Sequence, residues 1–498
     1  MVVFLTLLMA ASFFPVVAPA EPAQINQDSQ NWLRFRGPDG CGVATPEHPL
    51  PDKLDLQTEL RWKAVVPAGH SSPIVVGDAI VVTAYEPGKL STICLDRATG
   101  KTRWQRDLPV DVFEKAHPQH GPASSTPTSD GQSLFVTFGS FGIVAYDLQG
   151  EELWRQASKP RRNLFGSASS PVIVDGKLVV FSGSEEESLL QAFEPATGKL
   201  LWERQRPGPA SSWSTPVPWQ SGNQRALLVY EPFHLRACSL EDGSDLWSVP
   251  GLADEPITTP QIHGDLIFTC SYNLRTNREA TGLPSFEALL KECDGNGDGS
   301  IDSEEAKTNK SILSRPDADG QGDHPLRMFF RMLDEDRDGR ITAAEWPRIK
   351  AWMDPWNHAN GIIALRPAKD GSAPSLVWQH EVGVPECPTP IIYKDRLYAV
   401  RNGGVVTCLK ADTGELLFQD RCVAGGPYYA SPVAGDGKIF LASARGTISI
   451  LAAESEPRVL ATVDLKEPVS ATPAIAGSQI IIRSDKHVWM FSSPDSPR

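Results

Sequence analysis

The residues best equipped for chemistry stand in two twelve-residue stretches, 294–305 and 334–345. In the first, Asp294, Asn296 and Asp298 set side-chain oxygens at alternating positions, Gly299 follows at the turn, and Glu305 closes the stretch. The second repeats the pattern with Asp334, Asp336, Asp338, Gly339 and Glu345. Hard oxygen donors at every second position let a short loop wrap one hard divalent cation, and the closing glutamate supplies two oxygens at once; calcium suits this set. Ser300 and Arg340, seventh in their stretches, would offer main-chain carbonyls, while Asp302 and Thr342, ninth, would act through water. Left unfilled, such turns set several carboxylates against one another.

The flanks agree with that chemistry. Phe286, Leu289 and Leu290 precede the first stretch at helical spacing, and Phe329, Phe330 and Leu333 precede the second. Ile301 and Ile341 stand eighth, where paired loops make a short β contact. The two stretches therefore match the EF-hand loop and predict a calcium-binding pair. Other chemistry is sparse. The chain has no Cys-x-x-Cys, no His-Glu-x-x-His, no Gly-rich phosphate loop and no Ser–His–Asp signature, so no catalytic or cofactor-binding residue is assigned.

The elements around this module come from a repeat. A Ser/Thr-Pro step, an apolar run, a Gly-Asp-like turn and a second run recur, followed by a third run, an Asp-x-x-Thr-Gly turn and a tryptophan. The prolines are Pro73, Pro127, Pro171, Pro216, Pro260, Pro390, Pro432 and Pro473, spaced 41–54 residues apart except for one interval of 130. In the third copy, Pro171–Val174, Leu178–Ser182, Leu189–Phe193 and Leu200–Glu203 read as four strands, from their β-branched content and turn dipeptides. Eight four-stranded units predict radial closure into a β-propeller; a β-solenoid repeats at a shorter period.

The fourth strand carries Trp104, Trp154, Trp202, Trp247 and Trp378 in copies one to five, then Phe418, then aliphatic residues such as Leu460. Copy eight ends after its third strand near Phe491, whereas Leu60-Arg61-Trp62-Lys63 reads as a fourth strand without its blade. Trp62 is therefore expected to complete the last blade and close the ring, leaving no open sheet edge. Each tryptophan is expected to dock between neighbouring blades. Cys94 and Cys408, with Cys238 close by, share a repeat position held by Ala145 and Ala192 elsewhere, so they read as small buried groups; no disulfide is assigned among the eight cysteines.

The Thr-Gly-Lys and tryptophan of Leu95–Trp104 and Phe193–Trp202 resemble the tryptophan-docking repeat of the pyrroloquinoline-quinone (PQQ)-like propellers. Trp32–Gly40 resembles the opening phrase of exported members of that superfamily. The superfamily includes quinoprotein alcohol dehydrogenases and the propeller lipoprotein of the outer-membrane assembly machine, so the resemblance implies a fold rather than an activity. The adjacent Cys-Cys pair of the dehydrogenase branch is missing, as are a haem motif and the lipoprotein's anchor cysteine.

The expected fold is all-β, an eight-bladed β-propeller closed by an N-terminal strand, with a small α-helical EF-hand insertion in blade five. Residues 1–20 read as a signal peptide cut after Ala20, with an uncleaved anchor as the alternative. An N-terminal extension spans 21–60, the first propeller part 61–273, the EF-hand pair 274–360, the second part 361–493 and a tail 494–498. The insertion falls between strands two and three of its blade, which would stand the calcium module on the rim of the central funnel, as a structural staple rather than a switch. Candidate funnel residues are His70, Glu86, His120, Trp213, Glu231, Tyr272, Arg401, Asn402, Tyr428, Arg445 and Asp485. A formal charge of −14 argues against nucleic acid. The reading is a periplasmic or secreted, calcium-binding, non-catalytic scaffold that meets a protein or cell-envelope partner, with no transmembrane span in the mature chain. The alternative is a dehydrogenase holding PQQ and calcium in the funnel, and glycan binding through Trp213 is a third possibility.

Overall fold

A computed structural model describes residues 29–494, apart from 47, 115–119, 164, 185–186, 207–210, 223, 254, 273–284, 308–310, 314–323, 327–329, 331–332, 335 and 348–359. The signal-peptide reading and Phe329 lie outside the described residues. Eight four-stranded antiparallel sheets each run from an inner to an outer strand. In blade 1 these are Ile74–Val76, Ala79–Glu86, Lys89–Asp96 and Thr102–Pro109. The inner strands of blades 1 and 8 touch, so the sheets form a closed ring. Blade 8 takes its outer strand from the start of the chain: Leu60–Val65 pairs with His487–Ser492, Trp62 opposite Met490 and Lys63 opposite Trp489.

The Ser/Thr-Pro step has a physical reason. The main-chain N–H of Ser72 donates to Thr126 Oγ1 in the next blade (3.0 Å), Thr126 N–H to Ser170 Oγ (3.0 Å), and Ser170 N–H to Thr215 Oγ1 (3.1 Å). The same link joins Thr259 to Thr389, Thr389 to Ser431, and Ser431 to Thr472, at 2.9–3.0 Å. The inner edge of a sheet leaves its donors unpaired. Here a hydroxyl from the neighbouring blade satisfies one of them, and the proline that follows has none to satisfy.

The tryptophans tie the outer parts of the blades. The indole N–H of Trp62, Trp104, Trp154, Trp202 and Trp378 donates to a carbonyl of the next blade, from Arg97, Leu148, Pro195, Leu240 and Ala411, at 2.7–3.2 Å. Each ring lies over the glycine of that blade's turn: a Cβ on Gly100, Gly150, Gly198, Gly243 or Gly414 would stand 2.5–2.6 Å from the indole. The residue opposite the tryptophan is small, Cys94 facing Trp104 and Ala145 facing Trp154, which leaves room for the ring. Cys238 lies one residue beyond this position, as expected: Ala237 faces Trp247, and a bulge follows it. In blade 7 the equivalent position is Ala461 rather than Leu460. Trp247 packs edge-on against Trp219 of its own blade, ring centroids 5.6 Å apart. All eight cysteines are free thiols.

The N-terminal extension fills the centre of the ring. Trp32 pairs with Val75 of blade 1, and Ala44 and Gly42 bond to Ala434 of blade 7. Between them Arg36 is fully buried at φ 60°. Its guanidinium donates to the carbonyls of Gly40, Cys41, Thr389, Pro390 and Pro432 and to Gln261 Oε1. Burial pulls it down to about 10, so it stays charged at neutral pH. This segment crosses the ring beside a central cavity, whose lining includes its Phe35.

Candidate functional site

Two places bring functional groups together. The first is the module inserted in blade 5 between Leu266–Ser271 and Gly361–Arg366. Its root lies on the cavity face, since Cys270 O accepts from Thr258 Oγ1, next to the Ile257 that lines the cavity. Ser285 Oγ caps the helix Phe286–Cys293 by accepting from Ala288 N–H. Ile301–Asp302 pairs antiparallel with Arg340–Ile341, the two isoleucines opposite one another. These isoleucines share a small core with Phe286, Leu289, Leu333 and Trp346, and Phe286 and Trp346 stand 5.8 Å apart by ring centroids.

Loop geometry fits a hard cation. In the second loop the carboxylates of Asp334, Asp336 and Asp338 offer oxygens within 4.8 Å of one another. Asp334 is buried; its Oδ2 accepts from Gly339 N–H (3.1 Å), while Oδ1 is buried with no hydrogen-bond partner among the described residues. A buried, anionic, unpartnered oxygen beside two further carboxylates is costly unless positive charge reaches it. In the first loop Asp294 accepts from Gly297 and Gly299 N–H, and Glu305 reaches back to Gly295 and Asn296 N–H. Asp298 accepts from Ser300 Oγ and meets the Arg340 guanidinium at 3.1 Å. Asp302 caps the exit turn by accepting from Glu304 and Glu305 N–H, and Thr342 Oγ1 donates to Glu345 Oε2.

The second place is the central cavity, about 380 Å³ in volume, with Phe35 of the N-terminal extension on its wall. Of the expected funnel residues it gathers His70, His120, Trp213 and Asn402. His70 and His120 stand edge-on, centroids 6.1 Å apart. Burial, then His120 and Arg483, pull the His70 imidazole down to about 4, so it is neutral at physiological pH. The others sit elsewhere. Glu231 is buried and bound by Arg206 and Arg236; Tyr428 is buried with its hydroxyl on Ala424 O; Glu86 pairs with Lys89. Tyr272 packs against the core of blades 5 and 6, and Arg445 packs against Gly426. Arg401 and Asp485 are not among the residues lining the cavity.

Sequence reasoning missed the residues that give the cavity its character: Phe165, Glu255, Glu386, Cys387 and Tyr429. They precede inner strands, in loops without periodicity, so no pattern marks them. Trp213 packs edge-on against Phe165 at 5.4 Å, and its main-chain N–H donates to Pro256 O, beside Glu255. Burial, then Glu386 and Glu255, push the Cys387 thiol well above its usual range. Asn402 Nδ2 reaches Glu386 Oε2 at 3.4 Å. Among the described residues the lining includes no lysine or arginine. PQQ carries three carboxylates, and the described lining sets two glutamates and no lysine or arginine against them.

Comparisons with known proteins bear on this fold. The family model described as outer membrane protein assembly factor BamB matches residues 89–281, and an EF-hand model matches 286–307 and 326–350. Two curated proteins of that BamB description are similar. The one from Bordetella pertussis is 29% identical over 158 residues, 31% of this chain and 35% of the relative. The one from Burkholderia pseudomallei is 26% identical over 216 residues, 43% of this chain and 50% of the relative. The match thus spans half or less of the curated relatives' length. Among solved structures, BamB from Moraxella catarrhalis aligns at TM-score 0.53 and 12% identity, covering 88% of this chain and 99% of that one. A europium-containing methanol dehydrogenase aligns at TM-score 0.54 and 10% identity, covering 95% and 99%. At such identity these two share the fold alone. No helix among the described residues is long and apolar enough to cross a membrane.

Proposed function

We propose that this propeller of PQQ-like repeats is a non-catalytic scaffold of the cell envelope, periplasmic or secreted, whose funnel face receives a protein partner. The observation that carries the reading is the match of residues 89–281 to a family model described as an assembly factor, together with relatives of the same description. The central cavity, lined by Phe35, Phe165, Trp213 and Tyr429, supports it, since partner recognition draws on aromatic anchors set in pockets. The PQQ alternative has the fold of its neighbours in its favour and the chemistry of the cavity wall against it.

Calcium binding by the inserted pair belongs to the same reading. Asp294, Asn296, Asp298 and Glu305 would hold one ion, with Ser300 through its carbonyl and Asp302 through water. Asp334, Asp336, Asp338 and Glu345 would hold the other, with Arg340 and Thr342 in the corresponding roles. Bound calcium would supply the positive charge that the buried Asp334 oxygen lacks. The ion acts as a staple, fixing the module at the root of the cavity face, and millimolar extracellular calcium would keep weak sites filled.

The experiment is capture of partners from a native envelope fraction by the calcium-loaded full chain, cross-linked and identified by mass spectrometry. A defined partner, lost when Tyr429→Ala and Glu386→Gln are combined, is expected. Stoichiometric uptake of PQQ with dye-linked alcohol oxidation would overturn the scaffold reading.

A further inference from the structure

We infer that a cleft between blades 2 and 3 is a binding site for a neutral, polyhydroxylated ligand the size of one sugar ring. The inference goes beyond the scaffold reading and does not rest on it.

Strand alternation sets the cleft. Blade 2 turns Phe135, Ile143, Ala145 and Trp154 towards blade 3, where they pack with Leu178, Val180 and Phe193. Side chains two residues apart on a strand share a face. Thr137 follows Phe135, Gln156 follows Trp154, Ser182 follows Val180 and Gln191 precedes Phe193, so all four face the same interface. Apolar packing stops at their level, and a cleft of about 240 Å³ opens with these four on its walls. Phe181 and Tyr230 hold the position of Thr137 in blades 3 and 4, each in the buried cluster of its own interface. The cleft exists because blade 2 has a small hydroxyl there and blade 3 meets it with another.

Hydrogen-bonding capacity fixes the class. Thr137 is 9% exposed, and its hydroxyl, like that of Ser169 on the same lining, is buried with no hydrogen-bond partner among the described residues. A buried hydroxyl left unpaired costs free energy, which an occupant of the cleft that pairs with it would remove. Gln156 and Gln191 are anchored through Nε2, to Gly198 O at 3.0 Å and to Glu203 Oε2 at 2.7 Å, which leaves each amide oxygen to accept. Ser158, exposed at the mouth, and half-buried Ser182 add hydroxyls. Groups that both donate and accept, set above apolar Ile143, Val180 and Phe193, match a ring that carries several hydroxyls. The volume lies below that of sites for drug-sized molecules and suits one ring.

Charge does not select a different class. Lys159 and Arg161 stand on the lining, and Arg161 pairs with Glu187 at 3.3 Å. Glu203 lies behind Gln191, and buried Glu114 accepts from the main-chain N–H and the hydroxyl of Ser167. Both signs therefore interleave around the cleft, and neither a cation nor an anion meets a wall of opposite charge.

The test is calorimetric titration of the calcium-loaded full chain with D-glucose, D-galactose, D-mannose, L-rhamnose and myo-inositol. At least one should bind saturably, one per chain. Tetrahydropyran-2-methanol, the pyranose ring without its other hydroxyls, should bind at least about tenfold more weakly. Thr137→Val removes one hydroxyl at constant shape and should weaken the sugar about fivefold, the loss of a single hydrogen bond. Without sugar the same variant should leave the unfolding midpoint unchanged or raise it, because it strands no partner. Ser182→Leu, which fills the cleft, should abolish binding, whereas Tyr429→Leu in the central cavity should leave it unchanged. No binding of any of the five compounds would overturn the inference, as would equal binding of the stripped ring. So would a lowered midpoint for Thr137→Val, or loss of the sugar with Tyr429→Leu alone. Glucuronate or glucosamine binding more than about tenfold tighter than every neutral compound would replace the class and overturn it too. Those results leave the scaffold reading standing, since partner capture tests it separately.

Discussion

The most direct test of how the ring is held uses two glycines of one blade. Gly176 and Gly198 both adopt a left-handed conformation, at φ 68° and 70°. A Cβ on Gly176 meets nothing within 4 Å, whereas one on Gly198 would stand 2.5 Å from the Trp154 indole of the preceding blade. Alanine at either position incurs the left-handed cost of about 1–2 kcal/mol. Only at Gly198 does it also overpack an interface, adding about 1–3 kcal/mol. Trp154 is half-buried and can swing outward, but it then surrenders its 2.7 Å bond to Pro195 O, a loss of about 1 kcal/mol that sets the lower bound. Urea unfolding of the two single variants should therefore separate them by at least that amount at unchanged slope. In a Trp154→Ala background the difference should vanish, giving a coupling of about 1–3 kcal/mol. Equal costs at Gly176 and Gly198, or a coupling below about 0.5 kcal/mol, would show that the tryptophan is not seated on the next blade.

Calcium should stabilise the inserted module by about 1.4 kcal/mol per site at 1 mM free ion if each binds with a dissociation constant of about 0.1 mM, seen as a calorimetric transition that chelator lowers. Asp334→Asn should change sign between conditions: neutral or stabilising in chelator, where it removes a buried carboxylate oxygen without a partner, and destabilising in calcium. Glu467 ties the closing strand, because Lys63, His487 and Ser484 all bond to its carboxylate. Burial raises that carboxyl, and these three bonds more than offset it, holding it down at about 2. A depressed carboxylate stabilises above its unfolded value, so Glu467→Gln should cost about 2 kcal/mol at pH 7, with the gap to wild type closing as pH falls from about 4.5 towards 2. Arg36→Met, which strands the oxygens its guanidinium serves, should cost at least about 3 kcal/mol in urea unfolding.

What could be read from the chain and what could not divides along sequence distance. The Thr197-Gly198 turn and the tryptophans recur at similar intervals outside the insertion, so period alone exposes the blades and Trp62 exposes the closure. The acidic loops are local, and twelve consecutive residues carry their chemistry; the Ile301–Ile341 pairing follows from it. The cavity is the reverse case. Arg36 meets partners 225, 353 and 396 residues away, and nothing near it in sequence announces a plug. Tyr428 and Tyr429 are adjacent, yet one is buried in the core and the other lines the cavity, because a loop has no period to tell inward from outward. Glu231 looked like a funnel residue by its place at a strand end, and Arg206, 25 residues earlier, takes it into a buried ion pair instead. The repeat that makes the fold legible is thus silent about the site. Repeated blades place eight loops around one axis, and the ligand is decided by the residues in those loops at which the blades differ.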